Sequence, residues 1–121
     1  MMVVLDTNFI TVPVQFGVDV FGEIRETMPR ARLVTITQVI DELGRLGVKG
    51  KVGREMLKKF GVKVLKREGA TDGALLELAE ENNGLLCTND RELKRRAREK
   101  NVAVMFMRKK RTLEISGGLD V

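Results

Sequence analysis

Residues 84–107 have the sequence GLLCTNDRELKRRAREKNVAVMFM, and this stretch decides the fold class. Short apolar runs over 85–88 and 102–107 predict two strands, and the strongly basic segment 90–100 between them predicts a helix. A strand, a helix and a second strand in this order are typical of a crossover that joins two parallel strands of one sheet. The stretch therefore predicts an α/β protein in which helices cover a parallel sheet.

The same alternation of strands and helices extends outward from this unit. Further strands are predicted over residues 2–5, 33–36, 62–65 and, at the edge of the sheet, 112–115. Further helices are predicted over residues 37–46, 54–60 and 71–83, and apolar residues recur at helical spacing from Val14 until Pro29 stops the pattern. Gly47, Gly50 and Gly53, with lysines between them, are expected to form a flexible basic loop. We expect a single domain over 1–121, folded as three layers (α/β/α) around a mostly parallel sheet of about five strands.

The composition narrows the chemistry that the chain is able to perform. Its 121 residues include 22 Lys and Arg against 17 Asp and Glu, and the resulting net charge of +5 favours a polyanionic partner. There is no His and one cysteine, Cys87, which excludes His-dependent triads, His-ligated metals and disulfides within the chain. No apolar run approaches the roughly 18 residues of a membrane span, so we expect a soluble, cytoplasmic protein without a membrane partner. Any reaction must rely on carboxylates, amines, hydroxyls, amides or a metal held by oxygen.

Two acidic residues, Asp6 and Asp90, come just after predicted strands. Each has a purely structural interpretation. Asp6 begins an Asp-Thr-Asn sequence that favours a turn. Asn89 with Glu92 would form a capping box that places Asp90 in the first turn of its helix. In open α/β sheets, however, ligands bind beyond the carboxyl ends of the strands, which is where both acids are expected.

Two further acidic residues are predicted to lie toward the buried faces of their helices. Glu42 falls at the margin of the apolar arc of its helix, whereas Asp41 points nearly opposite and should be solvated. Asp72 lies on an apolar stripe, because leucines and an alanine follow it at three, four and seven positions. The structural alternatives are an ion pair between Glu42 and Arg45, and a helix start in which Thr71 is the cap and the dipole stabilises Asp72.

These four carboxylates are predicted to face one cleft. Parallel strands place Asp6 and Asp90 at one edge of the sheet, and the helices that carry Glu42 and Asp72 begin at the same edge. Without His or a Cys cluster, such a site fits a hard cation that prefers oxygen ligands, Mg²⁺ or Mn²⁺. The neighbouring polar residues that would support the site are Thr7, Asn8, Thr88 and Asn89.

Basic residues are concentrated next to this cleft. Ten Lys and Arg lie between Arg91 and Arg111, against only Glu92 and Glu99. They form either a solvated helix face or contacts to phosphate groups. The residues predicted to contact RNA are Lys49, Lys51, Arg91, Lys94, Arg95, Arg96 and Arg98. The reaction that fits is metal-dependent phosphodiester hydrolysis, in which the metal lowers the pKa of a water molecule and stabilises charge on the phosphorus oxygens.

Four sequence motifs also resemble a known family. They are VVLDTN at 3–8, the acidic residue and leucine at 42–43, TDGALLELA at 71–79 and CTND at 87–90. Together they are similar to the PIN-domain nucleases over nearly the whole chain. The resemblance implies a three-layer α/β/α fold and a Mg²⁺- or Mn²⁺-dependent endoribonuclease that often forms homodimers, with Asp6, Glu42, Asp72 and Asp90 as the metal-binding, catalytic residues. Gly73 stands where the family often has another acid.

Within this family the sequence resembles two branches. The CTND motif and the basic helix after it resemble the ribosomal-RNA-processing branch of the small-subunit processome. The short single-domain form equally resembles the VapC toxins, which an antitoxin silences. The expected partners are therefore RNA and either an antitoxin or a pre-ribosomal particle.

Two other classes of function remain as alternatives. The first is a non-catalytic RNA-binding or ribosome-assembly module that keeps the fold without the chemistry. The second is a nucleotide-binding or phospho-receiver domain, which fits poorly. The glycines of this chain at 47, 50 and 53 do not match the phosphate-binding motif G-x-x-x-x-G-K-[ST] of nucleotide-binding domains. A phospho-receiver domain would need two adjacent acids after the first strand, and only one is present.

Overall fold

A six-stranded sheet forms the centre of the computed structural model, which describes residues 1–117. The strands are β1 Met2–Leu5, β2 Arg32–Ile36, β3 Lys63–Leu65, β4 Leu85–Cys87, β5 Ala103–Arg108 and β6 Thr112–Ser116. Their order is β3-β2-β1-β4-β5-β6, and every pair is parallel except β5 with β6. The predicted mostly parallel α/β fold is confirmed, with the edge strand as its sixth member. The last four positions of the predicted domain 1–121 lie outside the described residues.

Helices cover both faces of this sheet. Within residues 1–117 they are α1 Thr7–Ile10, α2 Val12–Phe16, α3 Val20–Thr27, α4 Thr37–Gly44, α5 Gly47–Lys59, α6 Thr71–Glu81 and α7 Arg91–Glu99. The chain runs from β1 outward to β3 and then returns past β1 to β4 and β5. Because the crossovers are right-handed, this change of direction places α1 to α5 on one face of the sheet and α6 and α7 on the other. The contacts agree, because α4 packs on α1 and α5 while α6 packs on α7. None of the helices in the described part of the chain is long and apolar enough to cross a membrane.

The two central strands hold the core in place. All residues of β1 and β4 are buried, as expected for parallel strands covered by helices on both faces. Cys87 belongs to this core, and burial raises the pKa of its thiol far above the usual range. The cysteine therefore packs as a small apolar residue, and Asp6 and Thr88 follow directly on the two buried central strands.

The stretch after β1 contains three short helices instead of one continuous helical segment. Pro13 lies in the first turn of α2, and Gly17, with a φ of 69°, ends that helix. The side chain of Asp19 then accepts a hydrogen bond from the Gly22 N–H (3.0 Å) and caps α3. A proline and a left-handed glycine thus divide an apolar pattern that is helical in its spacing.

The predicted glycine loop is wrong, because all three of its glycines lie in the 13-residue helix α5. A Cβ added at Gly50 would lie 1.7 Å from the Leu43 carbonyl oxygen, and one added at Gly53 would lie 3.1 Å from Leu43 Cδ2. Glycines three residues apart therefore give α5 a narrow face that packs closely on α4. Lys49 and Lys51 are consequently helix residues and do not belong to a flexible loop.

Candidate active site

The carboxyl ends of β1 and β4 open onto one cleft. From β1 the chain crosses toward β2, and from β4 it crosses in the opposite direction toward β5. Asp6 follows β1 directly, and residues 88–90 follow β4. Ligands of open α/β sheets bind at such a point, where neighbouring crossovers diverge.

Asp6 is a buried carboxylate that accepts two hydrogen bonds. It is 5% exposed, and its Oδ1 accepts from the Thr7 N–H (2.7 Å) while its Oδ2 accepts from the Thr88 hydroxyl (2.6 Å). The pKa of Asp6 is raised to about 6, chiefly by burial; the charges of Asp72 and Glu42 also raise it, whereas these hydrogen bonds lower it. None of the ion pairs among residues 1–117 involves Asp6. The turn interpretation accounts for the Thr7 contact, but it does not account for a buried charge.

Glu42 is held by two hydroxyl groups. The Thr7 hydroxyl donates to Oε1 (2.5 Å), and the Thr71 hydroxyl donates to Oε2 (2.8 Å). The alternative ion pair with Arg45 is not present among residues 1–117. Thr71 is not the cap of α6 either, because Ala70 occupies that position. Glu42 therefore joins the starts of α1 and α6 to α4, a contact that the sequence pattern did not reveal.

Asp72 and Asp90 lie at the starts of α6 and α7 and interact electrostatically. Asp72 is half-buried, and burial is the largest cause that raises its pKa. The charges of Asp90 and Glu42 raise the pKa of Asp72 further, whereas Arg96 lowers it. Asp90 caps α7, since its Oδ1 accepts a hydrogen bond from the Leu93 N–H (2.7 Å). The predicted capping box is wrong by one position, because Asp90 itself is the cap.

The four supporting residues connect the ends of three strands. Thr88 donates to Asp6 and accepts from the Asp90 N–H (3.1 Å). The Asn8 Oδ1 accepts from the Asn89 N–H (3.0 Å). The Asn89 Oδ1 in turn accepts from the Met107 N–H (2.8 Å), which ties the end of β4 to β5. These residues position the carboxylates through contacts within the protein.

The acidic residues influence one another without forming a closed cluster. Asp6 interacts electrostatically with Glu42 and Asp72, and Asp72 interacts with Asp90. Among residues 1–117, no three acidic side chains are arranged so that they would enclose one ion. The donor set nevertheless fits Mg²⁺ or Mn²⁺, because it consists of carboxylate oxygens whose mutual repulsion a divalent cation would relieve.

The residues predicted to contact RNA separate into distinct groups. Arg95 is exposed and pairs with Glu92 (2.5 Å) and Glu99 (2.7 Å) on its own helix. Arg96 is half-buried, and its Nη2 lies 3.7 Å from the position that a Cβ at Gly73 would take, beside Asp72.

The remaining members of this set differ in their surroundings. Lys94 lies over the Phe106 ring, with Nζ 4.5 Å from the centroid, and Arg91 and Arg98 are exposed. Lys49 and Lys51 lie on α5, on the other face of the sheet, so the structure does not bring them together with the cations of α7.

The sequence model of the PIN like domain family matches residues 3–110. The chain belongs to this family. It is 32% identical to ribonuclease VapC4 of Methanocaldococcus jannaschii over 126 aligned positions, which cover 95% of this chain and 96% of that protein. It is 30% identical to ribonuclease VapC9 of Archaeoglobus fulgidus over 111 positions, which cover 87% and 82%. The predicted family is therefore confirmed.

Solved structures agree with the PIN fold. The PIN domain endonuclease Utp24 superposes with a TM-score of 0.82 at 21% identity, covering 99% of this chain and 94% of that one. The PilT N-terminus domain protein SSO1118 of Sulfolobus solfataricus superposes with a TM-score of 0.61 at 16% identity, covering 88% and 87%. At these identities the likeness concerns the three-layer fold alone.

Proposed function

We propose that this PIN-domain protein is an endoribonuclease that depends on Mg²⁺ or Mn²⁺. The observation that carries the proposal is Asp6, a buried carboxylate without an ion-pair partner among residues 1–117, at the point where the crossovers diverge. Burying a charge in this way is unfavourable unless a ligand compensates it. The negative charges of Glu42 and Asp72 also repel the Asp6 carboxylate and raise its pKa. A cation is therefore the ligand that fits.

Each residue of the site has a role in this reaction. Asp6, Glu42, Asp72 and Asp90 would hold the cation, which, when bound, lowers the pKa of a water molecule and stabilises charge on the phosphate. The hydroxyls of Thr7 and Thr71 orient Glu42. Thr88 orients Asp6 in the same way.

RNA is the substrate that the charge distribution and the relatives support. The protein carries a net charge of +5, and Arg96 of α7 lies beside Asp72 in the acidic cleft, where it would contact phosphate groups. Both curated relatives are named ribonucleases of the VapC type and match this chain over most of their length. We therefore favour a VapC-type nuclease, controlled by an antitoxin in the cytoplasm and able to form a homodimer, over a ribosomal-RNA-processing factor.

Cleavage of a single-stranded RNA tests the proposal. We expect wild-type protein to cleave the RNA with Mg²⁺ or Mn²⁺ and not in EDTA. Asp72→Asn should lose this activity, and the control Asp41→Asn, which changes the exposed acid of α4, should keep it. Cleavage in EDTA, or full activity of Asp72→Asn, would contradict the proposed metal site.

One observation favours a second function, a non-catalytic RNA-binding module. Within residues 1–117 the acids are not arranged as a closed metal cluster. If RNA binds equally well to wild-type and Asp72→Asn protein, and neither cleaves it with either metal, this second function replaces the first.

A further inference from the structure

Four consecutive cationic residues form the turn between β5 and β6, and all of them are exposed: Arg108, Lys109, Lys110 and Arg111. The Arg111 N–H donates to the Arg108 carbonyl (3.1 Å) and closes a β-turn whose central residues are the two lysines. Their φ angles are 53° and 58°, as a type I′ turn requires. The other two non-glycine residues with positive φ among residues 1–117 are asparagines, which tolerate this conformation. Two adjacent lysines are therefore unfavourable for the turn itself.

The turn projects beyond the acidic cleft. Cys87, the last residue of β4, pairs with Met105, and β5 continues for three residues to Arg108. At about 3.3 Å per residue, the hairpin extends about 10 Å past the end of β4. Because β5 is parallel to β4, this extension lies at the same edge of the sheet as Asp90.

Contacts to both sides of the cleft fix the hairpin. The Met107 N–H donates to Asn89, the residue before Asp90. On the other side, the Lys110 Nζ lies 5.7 Å from the ring centroid of Phe16 in α2, a helix of the segment that follows Asp6. The hairpin is thus tied to the end of β4 next to Asp90, although the backbone conformation of its turn does not favour lysine.

From this placement we infer that the β5–β6 turn is a phosphate-binding arm that holds single-stranded RNA beside the scissile bond. The inference rests on the proposed function for the nature of the substrate. Arg108 pairs with Glu114 (3.1 Å), whereas Lys109, Lys110 and Arg111 have no ion pair among residues 1–117. Three cations without an ion pair in the described part of the chain therefore lie at the same edge of the sheet as Asp90, where they are available to RNA phosphates.

Replacement of the two lysines by Asn and Gly separates their charge from their role in the turn. Lys109→Asn/Lys110→Gly removes two charges and introduces the residues that type I′ turns prefer. We expect an equal or higher melting temperature. In EDTA, we expect roughly tenfold weaker binding of a short single-stranded RNA at 0.1 M salt, and a salt slope smaller by about 1.4, because each phosphate contact contributes about 0.7. The control Lys58→Gln/Lys63→Gln removes the same charge from α5 and from the amino end of β3. It should bind RNA with the affinity and the salt slope of the wild-type protein.

If Lys109→Asn/Lys110→Gly binds RNA with wild-type affinity and a wild-type salt slope, the inference is overturned. An acidic protein would then be the partner to test for the turn. If this variant melts at a lower temperature, a second variant, Arg111→Gln, tests the inference instead, because Arg111 lies outside the two positions with positive φ. A slope smaller by about 0.7 supports the arm, and an unchanged slope overturns it. Binding in EDTA does not depend on cleavage. Failure of wild-type protein to cleave RNA would therefore contradict the proposed function, while wild-type-like binding by the variants would contradict the arm alone.

Discussion

The carboxylate of Asp90 serves both α7 and the acidic cleft. Its Oδ1 caps the helix through the Leu93 N–H, and its charge raises the pKa of Asp72. Asn keeps the capping oxygen and removes the charge, whereas Ala removes both. We expect Asp90→Asn to lose metal-dependent cleavage and to keep the free energy of unfolding of the metal-free protein. Asp90→Ala should lose cleavage and about 1 kcal/mol of stability.

Urea unfolding in EDTA and an RNA cleavage assay measure these two effects separately. Collapse of the fold in Asp90→Asn would show that the fold depends on the charge of Asp90, and would contradict the expectation that this variant keeps its stability. Full cleavage by Asp90→Asn would remove this residue from the proposed site.

The raised pKa of Asp6 makes the stability of the metal-free protein depend on pH. The folded protein holds the proton with a pKa of about 6, against 3.8 in the unfolded chain. Folding therefore favours the protonated form, and the contribution of Asp6 to stability is lost as the pH rises from about 4 through about 6. At about 1.4 kcal/mol per pKa unit, the loss is about 3 kcal/mol.

Replacement of Asp6 isolates this contribution. In Asp6→Asn nothing titrates at position 6, so the stability of the wild-type protein relative to this variant should fall between pH 4 and pH 7. Urea unfolding in EDTA across this range measures the difference. A constant difference between the two proteins would show that Asp6 titrates alike in the folded and unfolded states.

At the scale of the element, α7 presents two neighbouring arginines in different surroundings. Arg95 is engaged by Glu92 and Glu99 at the surface, whereas half-buried Arg96 lies beside Asp72. We expect Arg96→Gln to weaken RNA binding and to lower the salt slope by about 0.7, because this guanidinium lies where a phosphate would meet the acidic site. Arg95→Gln is the matched control and should leave the slope unchanged. Equal effects of the two substitutions on RNA titrations in EDTA would contradict this distinction.

The close packing of α5 on α4 also depends on single residues. A Cβ at Gly50 would meet the Leu43 carbonyl oxygen at 1.7 Å, whereas a Cβ at Gly44 would meet nothing within 4 Å. We expect Gly50→Ala to cost more than about 3 kcal/mol, since the backbone of α4 would have to move. Gly44→Ala should add up to about 1 kcal/mol through helix propensity. Thermal unfolding of the two variants measures both changes in stability. Equal melting temperatures would contradict the close approach of α5 to α4 at Gly50.

These elements show which features a single sequence contains. The strands, α6 and α7 are predictable because each has an apolar pattern of the right period and a clear end. The glycines of α5 are not, because in sequence they indicate flexibility and only their contact with α4 explains them. For the site, spacing along each helix places Glu42 and Asp72 inward. The hydroxyl partners of Glu42 lie 35 and 29 residues away in sequence, and only the fold brings them into contact.

At the scale of the whole molecule, the proposed site exists only in the folded chain. Its four acids come from four separate segments, namely the ends of β1 and β4 and the helices α4 and α6. The unfolded chain separates these segments. A cation held by acids from different segments therefore binds the folded protein and stabilises it against unfolding.

This coupling predicts a metal-dependent melting temperature. In millimolar Mn²⁺ the wild-type protein should melt several degrees higher than in EDTA, since a ligand at 100 times its dissociation constant adds about 2.7 kcal/mol. Glu42→Gln should lose most of this increase, because it removes one charge of the set. Asp41→Asn, one position away on the exposed side of α4, should keep it. Comparing each protein with and without Mn²⁺ cancels the effect of the substitution on the metal-free fold. An equal increase in Glu42→Gln and in the control would mean that Mn²⁺ binds elsewhere, and no increase in the wild-type protein would contradict the metal site.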